Sequence, residues 1–186
     1  MTLIKIGNTD DISNEIQLHG IAPNTEFIGV DENNGTDFDK LGKIYNLKIS
    51  GNESPSKYPA IRGRIRSFDE GTIVGAAYFI RIMLMKPVVD ILWVDSINTE
   101  RDIMDELHIG KGLDKTASDL VICQLNLKIY LDPARNAQKH FYTFIHTLLT
   151  DYKFLILRSS HPTSTINQLF LLNIRDSECI HSFIAF

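Results

Sequence analysis

The chain lacks most of the features that mark a specialised protein class. It has only two cysteines, Cys123 and Cys179, in apolar surroundings and without metal-ligand spacing. That excludes a disulfide-dense scaffold or a zinc ribbon and predicts free buried thiols in a reducing compartment. Basic excess is absent too: 19 Lys and Arg against 23 Asp and Glu leave a formal charge of −4, so no global positive field holds a phosphate backbone or an anionic membrane. No apolar run approaches the roughly 18 residues of a membrane helix, and Met1 to Lys5 carries no export-type pattern. Membrane and nucleic-acid partners are therefore disfavoured, and a cytoplasmic location is expected. The six histidines form no His-Glu-x-x-His pattern, and Ser159-Ser160-His161-Pro162 lacks the glycine-flanked elbow of a nucleophilic serine.

What is present is an ordinary globular composition, 44% hydrophobic and 23% charged, at a length that suits one domain over residues 1–186. Leu3 to Ile6 and Glu26 to Val30 read as short strands in a loop-rich first third, followed by an exposed, proline-containing connection over about 49–60. Arg62, Arg64 and Arg66 alternate along the next strand, either as a solvated face or as cations for an anionic partner. The β-branched and aromatic runs Arg62 to Phe68, Thr72 to Met83 and Val88 to Ile97 predict a three-strand antiparallel meander. Gly112 to Leu125 shows helical spacing, Leu127 to Leu131 reads as a strand, and Phe141, Phe144, Ile145, Leu148 and Leu149 mark an apolar helix face over 134–150. Lys153 to Arg158 is then a strand, and Leu169 to Ile174 with Cys179 to Phe186 forms a terminal hairpin. The expected fold class is α+β, a mixed, mostly antiparallel central sheet flanked by helices.

In this order, Glu70-Gly-Thr-Ile-Val-Gly-Ala-Ala-Tyr78, Val89-Asp-Ile-Leu-Trp-Val-Asp95 and Ile109-Gly-Lys-Gly-Leu-Asp114 resemble the third strand, fourth strand and pyrophosphate loop of the GCN5-related N-acetyltransferases (GNAT). The resemblance covers roughly Arg62 to Tyr142. It implies an acyl-CoA-dependent N-acyltransferase using acetyl-CoA, with Ile109, Gly110, Lys111, Gly112 and Leu113 on the cofactor. Glycines let a backbone approach phosphate, and helix N-terminal amides favour its charge. It further implies that Tyr142 acts as general acid toward the CoA thiolate, as a phenol that is a donor at neutral pH can. A second register, with Leu131-Asp132-Pro133 ending the fourth strand, leaves a loop without glycine.

The acceptor would be an amine of a small molecule or protein, which must lose a proton before attack. Asp90 and Asp95 point to opposite faces of a regular strand, so at most one serves as base, and Asp95 is the candidate. The alternative is a non-catalytic interaction protein on a similar scaffold, using its proline-containing loop, the arginine strand or an edge strand. The sequence does not give the oligomeric state.

Overall fold

The structure, a computed structural model, describes residues 1–32, 37–50, 73–97, 99–106, 120–131 and 136–184. Among these, the strands are β1 (Thr2–Ile6), β2 (Glu26–Val30), β3 (Lys43–Tyr45), β4 (Lys48–Ile49), β5 (Ile73–Val74), β6 (Val88–Val94), β7 (Val121–Tyr130), β8 (Phe154–Thr163) and β9 (Ile166–Asn173). The helices are α1 (Ser13–Ile21), α2 (Ala76–Tyr78), which runs into a π-helical turn at Phe79–Met83, α3 (Thr99–Glu106), α4 (Ala137–Asp151) and α5 (Ser177–Phe183).

One seven-stranded sheet has the order β3-β2-β1-β6-β7-β9-β8, with β4 and β5 paired apart from it. Register aligns its core in rows. Ile28, Ile4, Leu92, Leu125, Leu171 and Ile156 stand side by side across the sheet, and Val30, Ile6, Val94, Leu127 and Leu169 form the next row. Phe79 and Ile80 of the π-helical turn, Ile103 and Met104 of α3, and Phe144 and Leu148 of α4 close over this face. Each such side chain contributes about 1.5–3 kcal/mol by leaving water.

On the other face Leu3, Phe27 and Ile91 pack with Ile12 and Phe38, joined by Leu18 of α1 and Phe183 of α5. A Cβ at Gly29 would lie 2.8 Å from the Phe38 ring, so the glycine is what lets that ring cover β2. Lys5 and Glu15, each at least nine-tenths buried, meet at 2.8 Å beneath this layer, with the Lys5 ammonium 5.7 Å from the Trp93 ring centre.

The sheet is mostly parallel, not mostly antiparallel. β3-β2, β2-β1, β1-β6 and β6-β7 are parallel pairs, and the antiparallel pairs are β7-β9 and β9-β8. The expected meander is absent from its described part: β6 lies parallel between β1 and β7, and Arg62 to Phe68 lies outside the described residues. Thr72 to Met83, expected as a strand, holds β5, α2 and the π-helical turn, because Ala76, Phe79, Ile80 and Met83 share one helical face toward the core. Val121 to Leu125, expected as helix, begins β7, whose buried run follows no helical demand.

Cys179 to Phe183 is helical, not a strand; the Asp176 carboxylate accepts the Glu178 amide at 2.9 Å and starts α5. The cysteines are not free thiols: Cys123 of β7 and Cys179 of α5 are disulfide-bonded, with Cα atoms 4.9 Å apart. No helix among the described residues is long and apolar enough to cross a membrane.

Candidate functional site

The strand order reverses at β1: β2 lies on one side of it and β6 on the other, both parallel to it. Connections leaving the carboxyl ends of such strands diverge and open a crevice, the usual ligand position in a parallel α/β sheet. A crevice of about 340 Å³ lies there, within the size range of ligand pockets, over the buried ends Ile6 and Val30. Its walls come from Gly7, Asn8 and Asp10 after β1, Asp31 and Glu32 after β2, Leu47 to Ile49, Asp95 to Ile97 after β6, Thr99 of α3 and Tyr130 of β7.

The loop after β1 passes tightly against the end of β6. The Gly7 amide donates to the Val30 carbonyl at 2.7 Å, and the Asp95 amide donates to the Ile6 carbonyl at 2.9 Å. Gly7 has φ +77°, and a Cβ there would stand 2.5 Å from the Ser96 Cβ and 2.6 Å from the Asp95 carbonyl oxygen. Both conformation and space therefore demand glycine. Beyond it, the buried Asp31 carboxylate accepts the Thr9 amide at 3.0 Å and the Thr9 hydroxyl at 2.9 Å, tying the loops after β1 and β2 together. Glu32 is half exposed at the rim and pairs with Lys48 at 3.3 Å.

Asp95 is held from three directions. Tyr130 donates its hydroxyl to Oδ1 at 2.8 Å, Lys128 reaches Oδ2 at 3.0 Å, and the Asn8 side-chain amide reaches Oδ2 at 3.1 Å. Burial raises the Tyr130 phenol, and its hydrogen bond to Asp95 raises it further despite the neighbouring Lys128 ammonium. Burial is also the largest influence on Lys128 and pushes it down, but the hydrogen bond and charge of Asp95 with those of Tyr130 outweigh it, so Lys128 is held above its ordinary range. Tyr130 is therefore a protonated donor and Lys128 a permanent cation.

Asp10, Asp31, Glu32 and Asp95 outnumber Lys48 in the lining and give the crevice a net acidic wall, although Lys48 pairs with Glu32 and Lys128 with Asp95. Gly7-Asn8-Thr9-Asp10-Asp11 has a single glycine, so the repeated glycines that let a backbone cradle pyrophosphate are missing from this turn. Among the described residues no group of His, Cys, Asp or Glu is placed to hold a metal ion.

Of the residues named from sequence, Asp95 lies in the crevice wall. Tyr142 is on α4, 69% exposed and not among the residues lining the crevice. Ile109, Gly110, Lys111, Gly112 and Leu113 lie outside the described residues. Asp31, Glu32, Lys128 and Tyr130 were not singled out from sequence. A signal for the first two existed, namely a strand, a glycine turn, a helix and a second strand ending in acids, the pattern that places a carboxylate near a ribose.

No protein-family model matches the sequence, and no curated protein matches it. Solved structures that it resembles include M. capricolum TrmK in complex with the natural cofactor product S-adenosyl-homocysteine, at 13% identity and TM-score 0.44, covering 94% of this chain and 63% of that one. The chain thus spans less than two thirds of that protein. Another is a variant of the 16S rRNA (adenine(1408)-N(1))-methyltransferase from Catenulisporales acidiphilia, at 14% identity and TM-score 0.40, covering 92% of this chain and 84% of that one. A third is an antibiotic related methyltransferase, at 17% identity and TM-score 0.37, covering 92% and 86%.

The strand order, with β6 parallel between β1 and β7 where an antiparallel meander was expected, overturns the GNAT resemblance together with the acyl-CoA N-acyltransferase activity and acetyl-CoA cofactor drawn from it. Tyr142 and Ile109 to Leu113 lose the ligand for which they were named.

Proposed function

We propose that the chain binds S-adenosylmethionine in the crevice and is a methyltransferase. The observation that carries this reading is the set of carboxylates Asp10, Asp31, Glu32 and Asp95 around the carboxyl ends of parallel strands where the order reverses. Such crevices take nucleoside ligands, and a carboxylate after the second strand suits ribose hydroxyls. An acidic wall without a glycine-rich cradle opposes a pyrophosphate and favours a nucleoside that carries positive charge instead. S-adenosylmethionine meets both requirements, with two ribose hydroxyls and a sulfonium. A built crevice of this kind also disfavours the purely non-catalytic reading.

When bound, the sulfonium supplies an activated methyl group. Glu32, which here pairs with Lys48, would accept the ribose hydroxyls. Gly7 lets the loop after β1 pass against Ser96 and the Asp95 carbonyl, and Asp31 keeps the loop in shape through both hydrogen bonds from Thr9. Asp95, fixed by Tyr130, Lys128 and Asn8, has its charge met by the Lys128 ammonium and gives the β6 side of the wall a fixed shape. Tyr130 stays protonated and serves as a donor, not a base.

Ultraviolet crosslinking with S-adenosylmethionine labelled on its methyl group, followed by peptide mapping, tests this reading. Label is expected in peptides holding Gly7 to Asp11 or Asp31 and Glu32, with competition by unlabelled S-adenosylhomocysteine. Label confined to other peptides, or none, counts against it.

A further inference from the structure

A second cleft, of about 250 Å³, opens between α3 and α4. Its chemistry is opposite to that of the crevice. Arg101 of α3 and Lys139 and His140 of α4 line it, Asp105 supplies a carboxylate 3.2 Å from the His140 Nε2, and the buried Phe144 closes its floor. The crevice has a net acidic wall, while in the cleft Arg101 and Lys139 stand beside the His140–Asp105 pair. In a chain whose formal charge is −4, such a cluster stands out from the general field.

The two cavities share one helix. Thr99 lines the crevice and Arg101 lines the cleft, and residues two apart on a helix point to nearly opposite sides. A molecule occupying both passes around the first turn of α3, a width of about 10 Å. The crevice repels phosphate, whereas the cleft attracts it: guanidinium forks and ammonium groups are the side chains that bind phosphate oxygens.

We propose that Arg101 and Lys139 form a phosphate subsite for the methyl acceptor. Its acceptor role rests on the methyltransferase reading, but phosphate binding at the cleft stands without it. Phosphate can come from a phosphodiester strand or from a small phosphorylated molecule, and both present the same oxygens to the cleft. His140 meets Asp105 through Nε2 at 3.2 Å, which leaves Arg101 and Lys139 as the phosphate donors of the cleft.

The test uses the full chain and two probes: inorganic pyrophosphate by calorimetry, and a fluorescein-labelled single-stranded oligoribonucleotide by anisotropy at two salt concentrations. The variants are Arg101→Glu and the exposed Lys139→Glu, with the exposed Lys43→Glu of β3 as charge-matched control. S-adenosylhomocysteine is titrated into each protein, so that loss of the nucleoside site is seen separately.

The wild type is expected to bind at least one probe, and each cleft variant to weaken it about tenfold with a shallower salt dependence, while the control does not. Pyrophosphate binding alone identifies a small phosphorylated acceptor, and oligonucleotide binding identifies a strand. The proposal is overturned if the wild type binds neither probe, or if Lys43→Glu weakens binding as much as the cleft variants. Unchanged S-adenosylhomocysteine binding with lost probe binding supports the subsite. Loss of S-adenosylhomocysteine binding in wild type with probe binding intact sinks the methyl-donor reading and leaves the phosphate site standing.

Discussion

Tyr130 and Asp95 lock the carboxyl ends of β7 and β6 together: the phenol donates to Oδ1 at 2.8 Å while Lys128, on the same strand, reaches Oδ2 at 3.0 Å. Lys128 and Tyr130 are held above their ordinary values of 10.5 and 10.0. Groups raised on folding contribute stability that is fully present below their unfolded values and lost as pH rises through the folded ones. Thermal unfolding is therefore expected to move to lower temperature above about pH 10, and Tyr130→Phe should flatten that alkaline loss. The same alkaline slope in wild type and variant would rule out this coupling.

Gly7 is closed to any side chain by both conformation and space. Replacement by Val forces a β-branched residue to φ +77° and drives its Cβ into Ser96 and the Asp95 carbonyl. A strained backbone position costs about 1–3 kcal/mol before any steric clash is added. Urea unfolding should show a loss of at least that size, whereas Gly20, with nothing within 4 Å of an added Cβ, should accept Ala without loss.

Strand positions in this chain were legible where the signal is local. Leu3 to Ile6 and Glu26 to Val30 sit between turn residues, and the apolar face of α4 repeats over four turns, so both could be read without partners. Strand direction could not: β1 pairs with β6 across 88 or so positions of sequence, as Leu3 with Ile91, and nothing in either segment states that they run parallel. The aromatic content of Ala76 to Met83 hid a helical spacing, and the expected terminal hairpin gives way to α5, which Asp176 caps. Asp95 was legible as a carboxylate at a strand end. Its partners Lys128 and Tyr130 were not, because they reach it from β7 through sheet order alone.

Asp31 binds Thr9 by its backbone and its hydroxyl within a buried corner, so removing the carboxylate leaves two donors without their acceptor. Asp31→Ala is expected to cost about 1–3 kcal/mol in denaturant unfolding. It should also weaken S-adenosylhomocysteine binding, since the loop after β1 loses its tie. Thr9→Ser, which keeps both donors, should restore neither effect when added to Asp31→Ala and should alone be close to wild type.

The bond between Cys123 and Cys179 fastens α5 to β7. Intact mass after alkylation without reductant should show no modified cysteine, and Cys179→Ala should lower stability by about 2–4 kcal/mol. Two alkylated thiols in the native, unreduced protein would contradict the pairing.

The central claim is that the crevice after β1, β2 and β6 holds a positively charged nucleoside cofactor rather than acetyl-CoA. Parallel calorimetric titrations with S-adenosylmethionine, S-adenosylhomocysteine and acetyl-CoA, on wild type and Glu32→Ala, test it most directly. The account predicts binding of the two adenosyl ligands, weakened about tenfold or more by Glu32→Ala as hydrogen bonds to a charged group are lost, and no heat from acetyl-CoA. Saturable acetyl-CoA binding, with neither adenosyl ligand binding at millimolar concentration, would contradict it.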